Sequence, residues 1–200
     1  ASPERQGGTL HHELGHNIGL RHGGNDHKNF KLNYLSGMNY FYADGYFKQT
    51  GDDSAEVAKY WDYSVYQAKS LNEKQLNEKA GVDAPASITS KKFVGILRCP
   101  NGSSLTWYFF VFNKALDFNC NGKIDAGKVA YDINFDGAKE THGSQDNWAN
   151  LVWDGGQIGG AGASAPSERA PIEGEPNGHD LAQFHAFIAE HGLHRAPGND

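Results

Sequence analysis

One eleven-residue stretch constrains this chain more than any other part of its sequence: His12-Glu13-Leu14-Gly15-His16-Asn17-Ile18-Gly19-Leu20-Arg21-His22. Residues four apart project from one face when the backbone is helical, with about 3.6 residues to the turn. The flanking pattern predicts such a helix over residues 9–19. Leu10, Leu14 and Ile18 recur every four residues. At about 100° per residue they gather on one side, and His12 and His16 fall nearly opposite. The aliphatic side is expected to pack while the other presents imidazoles. Gly19 tolerates a positive φ, so the helix is expected to stop there and turn the chain back, bringing His22 toward the other two histidines.

Two neutral imidazoles at i and i+4 can each place a nitrogen about 2.0–2.1 Å from one zinc ion, and His22 can supply a third. Three protein ligands leave one position open. Water there becomes far more acidic, and Glu13, next to His12, is placed to take its proton as a general base. The pattern points to a hydrolytic centre with His12, His16 and His22 as zinc ligands and Glu13 as a catalytic residue. His11 points about 100° away from His12 and reads as a surface residue or as support for a ligand.

The H-E-x-x-H-x-x-G-x-x-H spacing is followed by Ser36-Gly37-Met38-Asn39-Tyr40. Together they resemble the metzincin zinc metalloendopeptidases, whose signature is this zinc motif and a later methionine turn. Met38 is the single methionine of the chain, and the resemblance implies that it forms a hydrophobic floor beneath the zinc histidines. Ser-x-Met-x-Tyr looks most like the astacin and serralysin version. That implies a Tyr40 that approaches the zinc and stabilises the tetrahedral intermediate; a packed aromatic with its hydroxyl bonded elsewhere is the other reading. Asn33-Tyr34-Leu35-Ser36 and Asp62-Tyr63-Ser64 are similar to runs in secreted bacterial members. Gly23 stands directly after the third histidine, where several subfamilies carry a charged residue, serine or proline. Metzincin catalytic domains carry a twisted sheet ahead of the zinc helix, and its edge strand binds extended peptide. Eight residues precede Thr9, so the resemblance implies the C-terminal half of such a domain, missing its N-terminal part.

Further along, Ser70-Leu71-Asn72-Glu73 has the form of a capping box, and with Gly81 behind it predicts a helix over 70–80. The apolar runs 88–97 and 105–112 flank Pro100-Asn101-Gly102 and predict a β-hairpin. Residues 148–158 read as a further strand, 159–178 as a Gly/Ala/Ser/Pro-rich linker, and 180–191 as a helix in a short tail. His179, His185, His191 and His194 lack an i, i+4 pair and read as solvated or packed. Trp61, Trp107, Trp148 and Trp153 read as core or rim aromatics.

Two acidic segments complete the inventory. Asp117, Asn119, Asn121 and Asp125 stand at positions 1, 3, 5 and 9 of one; Asp132, Asn134, Asp136 and Glu140 occupy the same positions of the other, fifteen residues on. Gly122 and Gly137 are at position 6, and Lys123 and Ala138 offer a backbone carbonyl at position 7. Alternate oxygen side chains around a glycine turn suit Ca²⁺, although Lys128 and Gly143 replace the bidentate glutamate of an EF-hand at position 12. The segments therefore resemble shorter calcium loops such as thrombospondin type 3 repeats. Asx-rich turns holding no ion are the other reading. Cys99 and Cys120, the only two cysteines, read as one disulfide clamping the first loop or as two free thiols.

With 38% hydrophobic residues and 25 glycines in 200, the chain can bury a core while remaining rich in turns. No run approaches the roughly 20 apolar residues of a membrane span. A net charge of -6 lacks the basic patch needed for nucleic acid. The N-terminus shows neither the basic start nor the apolar centre of a secretory signal, so a processed chain or a fragment is expected. The expected architecture is α+β: a partial metzincin domain over 1–98, a β-rich segment over 99–158, the linker over 159–178 and the tail over 179–200. The expected function is zinc-dependent hydrolysis of peptide bonds in a protein or peptide substrate outside the cell. The alternative is a calcium-stabilised extracellular binding module with a non-catalytic zinc site.

Overall fold

A computed structural model of the protein describes residues 3–51, 55–102, 104–151 and 194–196. It is an α+β fold. Helix α1 spans Pro3–Asn17, opening six residues earlier than the expected start and running through Gly7-Gly8. Its end is the one foreseen. Gly19 has φ +86°, its amide donates to His16 O (3.0 Å), and the Leu20 amide reaches back to Gly15 O (2.9 Å). This is the double pairing of a glycine-terminated helix, which satisfies two carbonyls left over at the C-terminus.

The expected packing of α1 is reversed. Leu10 is 71% exposed and Leu14 53%, while His12 and the glycines at positions 8 and 15 are buried. The packed face is the one that lacks side chains. A Cβ on Gly15 would stand 2.1 Å from Met38 Sδ, and one on Gly8 would stand 2.4 Å from Ala43 O. Backbone therefore lies directly on the underlying chain, a contact that aliphatic periodicity does not register.

After α1 the chain forms β1 (Tyr46–Gln49), β2 (Ala55–Tyr60), β3 (Leu71–Asn72), a short helix α2 (Ala86–Thr89), β4 (Phe93–Asn101), β5 (Ser104–Val111), β6 (Thr141–His142), a second short helix α3 (Asn147–Asn150) and β7 (His194–Arg195). The principal sheet has the order β2-β1-β4-β5-β7, antiparallel except where β7 joins β5 in parallel. β4 and β5 are the expected hairpin, in register from Val94–Val111 to Asn101–Ser104. Ile88 falls in α2, outside the strand. β4 is buried on both faces from Phe93 to Cys99, which explains its continuous apolar run. Gly95 opposite Phe110 is obligatory, because a Cβ there would lie 2.1 Å from the Phe110 ring. The boundary expected at residues 98/99 falls inside β4, and one buried cluster draws on residues from Leu32 to Ala196.

Residues 70–80 do not form the expected helix. Leu71–Asn72 pairs with Thr141–His142 as a two-stranded ladder, and Leu76 bridges Val129. Glu73 and Glu78, both fully buried, reach into the neighbouring loops. Tertiary hydrogen bonding overrides the local helical signal. The start of the expected 148–158 strand belongs instead to α3, capped by Asp146 accepting from the Ala149 amide (2.9 Å). The rest of that strand, the linker and the 180–191 helix lie outside the described residues. Within the tail, His194–Arg195 is a strand. Among the described residues no helix is long and apolar enough to cross a membrane.

Candidate metal centre

The helix and its glycine turn bring His12, His16 and His22 together, with one ligand atom from each lying within 4.8 Å of the others. His16 Nε2 is 3.1 Å from both His12 Nε2 and His22 Nε2. The other nitrogens of the two helical histidines show what this means. His12 Nδ1 lies 2.8 Å from Gly37 O, and His16 Nδ1 lies 2.9 Å from Leu20 O. A carbonyl oxygen only accepts, so each Nδ1 must carry the proton. In the neutral rings both Nε2 atoms are then bare lone pairs and cannot hydrogen-bond to each other. Burial, followed by the neighbouring His12 and His16, lowers the His22 imidazole to about 3, so that ring is neutral near pH 7.

Three converging imidazole nitrogens fit a divalent ion of the zinc type. A tetrahedral ion about 2.05 Å from each nitrogen would space them at about 3.3 Å, close to the 3.1 Å that separates His16 Nε2 from each of the other two. The backbone carbonyls that fix the ring tautomers are the outer support such ligands normally have.

The Ser36–Tyr40 turn forms the floor. Met38 is fully buried against Leu20, Tyr34 and Tyr63, and its sulfur faces Gly15. The Tyr40 ring stacks on His12 at 5.1 Å and tilts against His22 at 4.8 Å. His11 stands apart from the cluster, stacked on Tyr63 at 4.1 Å and closing on Gly37, where a Cβ would meet its ring at 2.8 Å. Glu13 is exposed and borders an open groove of about 400 Å³ with Arg5, Gln6, Thr9 and Leu10.

Residues not singled out by the sequence hold this floor in place. The buried Asn147 Oδ1 accepts from Tyr34 Oη, Ser36 Oγ and the Ser64 amide, each at 2.9 Å. Burial pushes the Tyr34 hydroxyl up to about 12, so it keeps the proton it donates. Asn29 Oδ1 accepts from the Tyr40 amide at 2.9 Å. Solitary asparagines carry no spacing signal, so nothing in the sequence marked them.

The two acidic segments fold alike. Position 4 is left-handed in both, at Cys120 (φ 58°) and Phe135 (φ 61°), and so is position 6, at Gly122 (φ 85°) and Gly137 (φ 89°). In both, the first aspartate accepts from the amide at position 6: Asp117 from Gly122 (2.6 Å) and Asp132 from Gly137 (2.9 Å). The remaining side chains satisfy one another. Asn119 and Asn121 both donate to Asp125 Oδ2 (3.1 and 2.8 Å), and Asn134 donates to Asp136 Oδ2 (2.9 Å). The Lys123 and Ala138 amides donate to position-5 side chains, Asn121 at 3.0 Å and Asp136 at 2.9 Å. Glu140 contributes its amide, to Glu73. Cys120 is disulfide-bonded to Cys99, tying the first loop to β4.

Each loop closes on one glutamate that the sequence reading assigned to a helix. Glu78 accepts from the Phe118 and Asn119 amides (3.1 and 3.4 Å) on one oxygen and from the Asp125 amide (2.6 Å) on the other. Glu73 accepts from the Ile133 amide (2.6 Å) and the Glu140 amide (2.8 Å). The available signal was the repeat Leu71-Asn72-Glu73-Lys74, Leu76-Asn77-Glu78-Lys79. Its period of five does not match a helical turn. No known protein family, curated protein or solved structure matches this chain.

Proposed function

We propose that the chain is a zinc-dependent endopeptidase of metzincin type. The observation that carries this reading is the convergence of the Nε2 atoms of His12, His16 and His22, with two of the three rings fixed as acceptors by backbone carbonyls. Met38 beneath α1 and Tyr40 against two of the rings support the same reading. His12, His16 and His22 would hold the zinc, which would supply Lewis acidity toward water and a carbonyl oxygen. Glu13, one residue from His12 and open to solvent, takes the proton of the attacking water and returns it to the departing amine, so that an amide is split into an acid and an amine. The Tyr40 hydroxyl donates a hydrogen bond to the carbonyl oxygen as negative charge develops on it. The substrate is protein or peptide. An extracellular setting is proposed with it, and the Cys99–Cys120 disulfide is compatible with that.

The test is cleavage of an unfolded protein by the full chain supplied with zinc, beside Glu13→Gln. Hydrolysis by the parent alone, with zinc bound equally by both, is the expected outcome. Equal cleavage by the two would remove Glu13 from the mechanism.

A second reading concerns the loops. We infer that they take Ca²⁺ weakly, favoured by their common backbone fold fifteen residues apart. Asn119 and Asn121 would have to turn their amide oxygens toward the ion, releasing Asp125. The calcium-stabilised binding module remains the alternative if hydrolysis fails while both metals bind.

A further inference from the structure

Of the three histidines, His22 alone lies off the helix. Its place depends on the turn that follows α1, and that turn is fastened by a buried charge. The Lys31 side chain has no exposed surface. Its ammonium donates to Asp26 Oδ2 (2.7 Å), Gly23 O (2.9 Å) and Gly143 O (3.1 Å), so all three of its donors are used. A buried ammonium is retained only when it is so satisfied. The oxygens come from three places: the residue next to His22, the loop just beyond it, and the segment after the second acidic loop. The Gly23 amide also donates to Asp26 O (2.9 Å).

The neighbouring glycines fit this arrangement. A Cβ on Gly23 would fall 1.9 Å from Asp26 Oδ1 and 2.7 Å from Lys31 Nζ. The position after the third histidine is therefore glycine because the ammonium and its carboxylate fill the space. Gly24 has φ +89° and lies so close to Gln145 that a Cβ would stand 2.7 Å from its Cβ. Lys28 pairs with Glu140 on the same side. The Gly143, Glu140 and Gln145 contacts join the His22 turn to residues 140–145.

We propose that Lys31 is a positioning residue for the third zinc ligand, holding the His22 turn through Gly23 and Asp26 and bracing it against Gly143. This rests on the zinc reading. Zinc affinity is therefore tied to the segment that leaves the second acidic loop, which the three-histidine motif alone does not imply.

The test uses the full chain and zinc itself, measured by competition with a chromophoric chelator. Lys31→Met keeps the stem and removes the charge. It is expected to weaken zinc binding about 10–100-fold, the range for losing an outer support of a ligand, with cobalt(II) showing an altered visible spectrum. In a His22→Ala background, where no third ligand remains to be placed, the same substitution is expected to change zinc affinity less than about twofold; a merely structural role would cost the same in both backgrounds. If Lys31→Met does not fold, Asp26→Asn carries the identical comparison. Parent-like affinity in the folded variant, or an equal loss in the His22→Ala background, would overturn the proposal and leave the zinc reading intact. Failure of the parent to bind zinc would overturn both.

Discussion

The histidine cluster offers imidazole nitrogens and the acidic loops offer carboxylate and amide oxygens, and the two dispose of those polar atoms in opposite ways. In the cluster, the proton-bearing nitrogens of His12 and His16 are spent on Gly37 O and Leu20 O, and the remaining acceptors are turned toward one another. In the loops, Asp117 and Asp132 accept backbone amides, while Asn119, Asn121 and Asn134 donate to the other carboxylates. One arrangement gathers three imidazole nitrogens at one point; the other engages its polar atoms with its own backbone and with Glu73 and Glu78. The direction in which each polar atom is already committed is what separates them.

Four substitutions or additions probe that contrast, taken from the largest expected effect to the smallest. Glu13→Gln should lower kcat for peptide cleavage by about 10²–10⁴-fold, the range for a general base, without loss of zinc measured by equilibrium dialysis. Retained turnover would remove Glu13 from the mechanism. Tyr40→Phe should reduce kcat by about 10²-fold with KM little changed, as expected of a donor that acts on developing charge; a change confined to KM would make Tyr40 a packing residue of the floor. Glu78→Gln places an amide where the Phe118 or Asp125 amide now donates, and should cost about 1.5–3 kcal/mol of stability by urea unfolding. A near-neutral result would show that the first loop holds its shape without its buried carboxylate. Calcium at about tenfold over a millimolar Kd should raise stability by about 1–2 kcal/mol. An unmoved melting temperature would leave the loops as Asx turns and widen the contrast with the cluster.

How legible this was in the sequence differed by region. The i, i+4 histidines, the glycine stop and the convergence of His22 follow from helix geometry, and the structure assembles them as that geometry requires. The β4–β5 hairpin was likewise visible, because two apolar runs around Pro100-Asn101-Gly102 have few other ways to pair. The packed face of α1 was misread because Gly8 and Gly15 act by what they lack, and hydrophobic periodicity weighs only what is present. The 70–80 segment was misread for a related reason. A capping box is a local signal, and the amides that capture Glu73 and Glu78 lie about 40–67 residues away in the chain. Lys31 is the same case again: a lysine reads as surface until its three acceptors, two nearby and one at Gly143, are seen together.

Zinc binding by the full chain beside His22→Ala addresses the central claim most directly, read as metal bound per chain and as the visible spectrum after cobalt(II) substitution. Convergence of three imidazole nitrogens predicts one ion per parent chain in a four-coordinate environment, with affinity and spectrum both altered when His22 is removed. No ion in the parent, or binding indifferent to His22, would contradict it.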